Sequence, residues 1–190
     1  MQNIVINYKI TKKTNDLDTL ETIIRRCQSD KYRVFLNIYD FSLNKQNPLL
    51  KIDSAKTSSS IISYHEKCYE DLNNADNIVL QNLIQHGDSL GYMLLPNNII
   101  LSESFFDLID FQWLSHEGNG LIYFDYHINR IRCYTRSRAV NIPINTPAAL
   151  WSTSKLIRHI HEKEKLQIVG NNYASLHIPH SLCTIYPYEE

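Results

Sequence analysis

Glycine is scarce in this chain, and the few glycines present do not form a phosphate-binding loop. The sequence has 190 residues and five glycines. None of them lies in a Gly-x-x-x-x-Gly-Lys or Gly-x-Gly-x-x-Gly pattern, where backbone amides would surround a phosphate. The sequence therefore argues against a nucleotide site built on a glycine-rich loop.

Paired cysteines and long apolar runs are also missing. The four cysteines contain no Cys-x-x-Cys pair, so the sequence predicts neither a zinc site nor a redox couple, and no metal or cofactor is expected. The most apolar stretch, residues 90–114, is interrupted by Pro96 and three acidic residues, and it contains no run near the ~20 apolar residues of a membrane span. Together with an N-terminus unlike a secretory signal, these absences predict a cytoplasmic protein with no membrane contact.

The periodicity of apolar residues predicts an α+β fold with a mixed or antiparallel sheet and four to five helices. We expect one domain over residues 1–190, with a weaker alternative division into 1–117 and 118–190. The first elements read as β-α-β, since alternating residues flank a segment with helical spacing. The predicted elements are strands at 4–9 and 33–41, a helix at 15–27, helices at 59–73, 76–85 and 102–114, a strand at 92–95, a meander at 121–126, 130–135 and 139–144, a capped helix at 147–165, a hairpin at 166–169 and 173–178, and an edge strand at 182–186.

Charge is distributed unevenly along a chain whose net charge is only −1. Residues 66–126 contain 1 basic and 10 acidic side chains, whereas residues 127–165 contain 8 basic and 2 acidic ones. Near neutrality therefore hides an acidic middle beside a basic block, and such blocks are often interaction surfaces. The two blocks could also dock on each other, which would leave neither available.

The basic block predicts a surface that contacts DNA or RNA. On the predicted meander, arginines share a strand face with a tyrosine, and on the predicted helix an indole lies beside two cations, away from the core stripe. Cations would contact phosphates and aromatic rings would stack on bases. The leading interpretation is a non-enzymatic nucleic-acid-binding regulator that uses Arg130, Arg132, Tyr134, Arg136, Arg138, Trp151, Lys155 and Arg158.

The acidic block supports an alternative, a protein-interaction module such as an immunity protein or secretion adaptor. Glu103, Asp107 and Asp110 share one side of the helix predicted at 102–114. Such a stripe would attract a basic protein partner by electrostatic complementarity. This alternative ranks second to the nucleic-acid surface.

A short motif supports a third interpretation, a serine hydrolase. Gly87-Asp88-Ser89-Leu90 resembles the serine-containing segment of the GDSL (SGNH) hydrolases, in which the serine attacks an ester. That resemblance implies a nucleophilic Ser89 and a histidine three positions after an aspartate. No Asp-x-x-His occurs in the chain, so we expect this segment to be a turn.

Overall fold

The structure is a computed structural model that describes most of the chain with internal gaps. The described residues are 1–11, 17–43, 60–81, 83, 86–96, 98–116, 119–128, 130–133, 141–143, 148–161, 167–169 and 174–186. No helix within these ranges is long and apolar enough to cross a membrane.

A mixed nine-stranded sheet organises the described residues. Its strand order is β3-β2-β1-β4-β9-β6-β11-β5, with β7 paired to β6, and β8 and β10 form a separate two-stranded sheet. The predicted α+β class with a mixed sheet is confirmed. The strands are β1 (Gln2–Ile10), β2 (Tyr32–Asp40), β3 (Ser60–Glu66), β4 (Gly91–Pro96), β5 (Ile99–Leu101), β6 (Asn119–Ile128), β7 (Ile131–Cys133), β8 (Asn141–Pro143), β9 (Ala149–Ser152), β10 (Gln167–Val169) and β11 (Ala174–Ile185).

Four α-helices and two 3₁₀ helices of more than one turn accompany these strands in the described part of the chain. The α-helices are α1 (Leu17–Arg26), α2 (Ala75–Gln81), α3 (Phe105–Leu108) and α4 (Thr153–His161), and the 3₁₀ helices cover Tyr69–Asn74 and Phe111–Ser115. In α1, Asp18 lies in the first turn while Arg25 and Arg26 lie in the last, an arrangement that complements the helix dipole.

The sheet buries a hydrophobic core on each face. The core on the α1 side, here the α1 core, takes alternate β1 residues such as Ile4 and Ile6 together with Leu20 and Ile23 of the helix. The α2 core takes Val5 and residues of α2, β4, β6 and β9 on the opposite face. Because successive strand residues point to opposite faces, a strand covered on both sides is apolar at nearly every position.

The predicted β-α-β start is confirmed, and the chain then departs from the prediction at residues 59–73. This segment forms β3 and the Tyr69–Asn74 3₁₀ helix instead of one α-helix. β3 pairs in parallel with β2 from Ser60 to Glu66. Ile62 and Tyr64 pack against the α1 core, so strand pairing and burial outweigh the helical spacing of the apolar residues.

The residues just before α4 form a strand and not the first turn of a helix. Where the sequence predicted a capped helix from 147, residues Ala149–Ser152 form β9, which is antiparallel to β4 on one side and to β6 on the other. All four β9 residues are buried, and the helix begins only at Thr153. Thr146 and Pro147, which carried the capping prediction, lie outside the described residues.

Three further predicted elements differ from the structure, one helix that is interrupted and two groups of strands that pair otherwise. Residues 102–114 contain α3 and a 3₁₀ helix separated by Ile109, which has an extended backbone, so the predicted continuous helix is wrong. β8 pairs with β10 and not with β7, so the predicted three-stranded meander is also wrong. β10 pairs with β8, and residues 174–178 of β11 pair in parallel with β6, so the predicted hairpin between them is also wrong.

Candidate functional site

One edge of the sheet collects the carboxyl ends of most strands. β1 is parallel to β2 and β4, and β2 is parallel to β3. β9 is antiparallel to both β4 and β6, so β6 and its parallel neighbour β11 run in the same direction as β4. The strands therefore end at a common edge, called here the carboxyl edge.

The strand order reverses beside β1. After β1 the chain adds β2 and then β3 on one side, and it returns to add β4 on the other side. In open sheets built this way, ligands bind in the crevice outside the carboxyl ends of the strands at the point of reversal. The fold thus places a candidate crevice between the ends of β1 and β4.

A charged pair lies beside that reversal point. Lys9 is opposite Pro96 in the register of β1 and β4. Its ammonium group forms an ion pair with Asp76 in the first turn of α2, and the Lys9 side chain is 16% exposed. An ammonium group has three donors, so Lys9 can keep this carboxylate and still donate to a second acceptor.

A stacked pair of rings occupies the carboxyl edge next to Lys9. The rings of Tyr39 and His65 lie 4.8 Å apart between centroids at an interplanar angle of 15°, and the Lys67 ammonium lies 5.8 Å from the Tyr39 centroid. Burial, and secondarily the charge of Lys67, lowers the pKa of His65. His65 is therefore a neutral, half-buried ring at pH 7, suited to stacking on another flat group.

Buried polar groups fix the strands behind this edge. The carboxylate of Asp40, at the end of β2, is fully buried and accepts hydrogen bonds from the Tyr64 hydroxyl and from the Ser42 backbone amide, the latter at 2.8 Å. Burial raises the pKa of Tyr64, and its bond to Asp40 adds to the effect. These contacts tie the end of β2 to β3 and to the chain that follows.

A second polar cluster lies at the end of β6. Asp125 is fully buried, and its two oxygens accept from Arg132 Nη2 at 2.8 Å and pair with His177 Nε2 at 3.0 Å. The His177 ring stacks on Tyr123 with centroids 4.8 Å apart and an angle of 9°. Asp125 thus holds two side chains from different strands in fixed positions.

The predicted nucleic-acid surface is not assembled by the described residues. Trp151 is 3% exposed and lies in β9, in the α2 core, so it offers no ring to a base. Arg132 is engaged with Asp125, while Arg130 is exposed in the turn between β6 and β7. On α4, Lys155 is half-buried and Arg158 is exposed. Tyr134, Arg136 and Arg138 lie outside the described residues.

The predicted acidic stripe is divided among separate local contacts. Glu103 forms an ion pair with Arg26, and Asp107 forms one with Lys31 at 3.3 Å. Asp110 caps the Phe111–Ser115 3₁₀ helix by accepting from the Gln112 backbone amide at 3.0 Å. The stripe is therefore not one helical face, because the helix predicted to carry it is interrupted.

The expectation that residues 87–90 form a turn is confirmed. Ser89 is buried, its backbone amide donates to the His86 carbonyl, and its hydroxyl lies 2.8 Å from the Thr153 hydroxyl. The ring of His86 contacts Phe35, with centroids 5.0 Å apart at an interplanar angle of 45°. Within the described ranges, no group of three or more metal-ligating side chains comes together.

Comparison with solved structures shows what this chain is similar to in fold. No protein-family model and no curated protein sequence matches the chain. Among solved structures, residues 1–349 of S. aureus TarS in complex with UDP-GlcNAc match over 100% of this chain with a TM-score of 0.61 at 9% identity. The same TarS fragment in complex with UDP matches over 98% of this chain with a TM-score of 0.56 at 9% identity.

The chain is much shorter than these neighbours. It spans 60% of the TarS fragment bound to UDP-GlcNAc and 37% of the longer TarS structure, which matches with a TM-score of 0.61 at 8% identity. At such identities the similarity shows the fold. That fold overturns the predicted non-enzymatic nucleic-acid-binding regulator, because the neighbours sharing it were crystallised with a nucleotide sugar and its nucleotide.

Proposed function

We propose that this chain is a nucleotide-sugar-binding domain of the glycosyltransferase type. The observation that carries the proposal is the strand order, which reverses between β1 and β4 in a fold similar to that of TarS, crystallised with UDP-GlcNAc and with UDP. The nucleoside diphosphate would lie outside the carboxyl ends of these two strands.

Four cysteines that form no disulfide, all within the described residues, support a location in the reducing cytoplasm.

Two side chains at the carboxyl edge suit the parts of such a ligand. The Lys9 ammonium, next to the reversal point, would donate to a diphosphate oxygen while keeping its contact with Asp76. The neutral His65 ring, supported from one side by Tyr39, would stack on the nucleobase. Backbone amides of a glycine-rich loop are not required by this arrangement.

Direct titration tests the proposal. The full chain is titrated with UDP-GlcNAc, UDP-glucose and GDP-mannose by isothermal calorimetry, with and without Mg²⁺. We expect one of these ligands to bind, and we expect His65→Ala to weaken it by roughly tenfold, since base stacking contributes about 1–3 kcal/mol per base.

His86→Ala is the matched control for His65→Ala. Like His65, His86 is a half-buried histidine in contact with an aromatic ring, here at a tilt of 45°, and burial lowers its pKa. It precedes β4 and therefore lies toward the opposite edge of the sheet. Failure of all three ligands to bind would refute the proposed function. Equal losses of affinity in the two variants would refute the stacking of the nucleobase on His65.

A further inference from the structure

Two adjoining cavities open at the carboxyl ends of β6 and β11, away from the reversal point. The larger, of about 560 Å³, is lined by His127, Arg130, Thr184 and Tyr186. The smaller, of about 280 Å³, is lined by Ser104, Leu108, His127, Arg132, His180, Ser181 and Leu182. His127 lines both, so we treat them together as the basic cavity.

The described side chains that line the basic cavity include two arginines and no carboxylate. Two guanidinium groups and two imidazoles face the basic cavity, hydroxyl groups complete its polar lining, and no carboxylate is among the described lining residues. The hydroxyl of Ser181 has no hydrogen-bond partner within the described part of the chain. Such a set of donors is what an oxyanion requires.

Two different observations concern the arginines of the basic cavity, side-chain contacts for Arg132 and backbone conformation for Arg130. Arg132 Nη2 donates to buried Asp125 and also to the Pro179 carbonyl, so the guanidinium bridges β7, β6 and β11. Arg130 occupies the turn after β6 with a φ of 67°, a region that favours glycine. An arginine kept in a conformation that disfavours it is consistent with a role for its side chain at that point.

The basic cavity is separate from the proposed nucleotide crevice. β4 and β9 lie between β1 and β6 in the sheet. At about 4.8 Å between neighbouring strands, the ends of β1 and β6 are roughly 14 Å apart. None of the described residues that line the basic cavity belongs to β1, β4 or α2, so the cavity has its own set of donors.

We propose that the basic cavity binds the phosphate or carboxylate group of a second ligand, the acceptor of the transferred sugar. Naming that ligand an acceptor rests on the proposed function, whereas oxyanion binding in the cavity does not. Arg130 and the two histidines contact the oxyanion, and Asp125 acts as a positioning residue by orienting Arg132. The nucleotide sugar occupies the crevice at β1 and β4 at the same time.

The probe for this inference is inorganic phosphate, titrated into the full chain and followed by ¹H–¹⁵N NMR, with acetate as a parallel probe. Arg130→Gly is the informative variant, because glycine suits the turn and the variant should fold at least as well as the parent chain. We expect Arg130→Gly and His127→Gln each to raise the dissociation constant of the bound anion about tenfold. Arg158→Gln, which removes an exposed arginine on α4, should leave it unchanged.

Each result supports or overturns the inference. Anion binding that depends on Arg130 and persists when UDP-GlcNAc is bound supports a separate acceptor site. Phosphate that competes with UDP-GlcNAc overturns it, since the cavity would then hold the nucleotide's own diphosphate. Equal weakening in Arg158→Gln, or no anion binding, also overturns it. If UDP-GlcNAc fails to bind while phosphate binding still depends on Arg130, the proposed function fails and the oxyanion site stands.

Discussion

The contact between Asp125 and Arg132 gives a quantitative test of the second polar cluster. The carboxylate is fully buried, while the Arg132 side chain is 40% exposed. Arg132→Gln therefore removes a charged donor from a carboxylate that water cannot reach, whereas Asp125→Asn leaves a guanidinium that water can partly solvate. We expect Arg132→Gln to lower the free energy of unfolding by about 1.5–3 kcal/mol, the range for hydrogen bonds to charged groups.

A double-mutant cycle isolates the pair. Asp125→Asn, Arg132→Gln and the double variant are unfolded in urea and followed by circular dichroism, and we expect a coupling free energy of about 1–2 kcal/mol. The control cycle uses Lys31 and Asp107, whose side chains are 58% and 73% exposed and 3.3 Å apart. That exposed pair should couple by no more than about 0.5 kcal/mol, and high salt should abolish its coupling first. Coupling energies equal within about 0.3 kcal/mol in the two cycles would refute the argument from burial.

Three further outcomes follow from burial and backbone geometry. Arg130→Gly should raise the free energy of unfolding by about 1 kcal/mol and Arg130→Ala should not, because alanine keeps the Cβ that disfavours a φ of 67°; equal urea midpoints for the two would contradict this. Burial lowers the pKa of His65 and His86, so both side chains bind protons more readily in the unfolded chain. Their contribution to the free energy of unfolding is therefore fully present above pH 6.5, the ordinary pKa, and it is lost as the pH falls below that value. A His65→Gln, His86→Gln double variant should show a smaller loss of stability on acidification, and an unchanged loss would contradict the assignment. Burial raises the pKa of Cys27 and Cys183 to about 12, so iodoacetamide should modify exposed Cys68 in the folded protein and reach these two thiols only in urea, as counted by mass spectrometry.

Local pattern was sufficient where the partner strands are close in sequence. Alternation in β1 and β2 and helical spacing in α1 predict the β-α-β start, because a parallel pair with its crossover helix is a local unit. The same reasoning fails at Trp151. Helical spacing groups it with Lys155 and Arg158, but pairing of β9 with both β4 and β6 decides its conformation.

The candidate site was beyond the reach of periodicity for a related reason. Asp125 and His177 meet because β6 and β11 pair in parallel across a long intervening segment, and no local signal encodes that pairing. Lys9 and Asp76 meet through the packing of α2 near the end of β1. The scarcity of glycine bears only on phosphate-binding loops, and it carries no information about ligands that bind outside strand ends.

The pairing of β5 with β11 also determines when the fold can be completed during synthesis. Ile99–Leu101 can pair only after Cys183–Ile185 has left the ribosome, an interval of about 80 residues or roughly 4–16 s at ordinary translation rates. Throughout that interval the α1 core, which includes Phe105 and Phe106, lacks its β11 members Leu182 and Cys183. The nascent chain should therefore depend on chaperones more heavily than its modest size suggests.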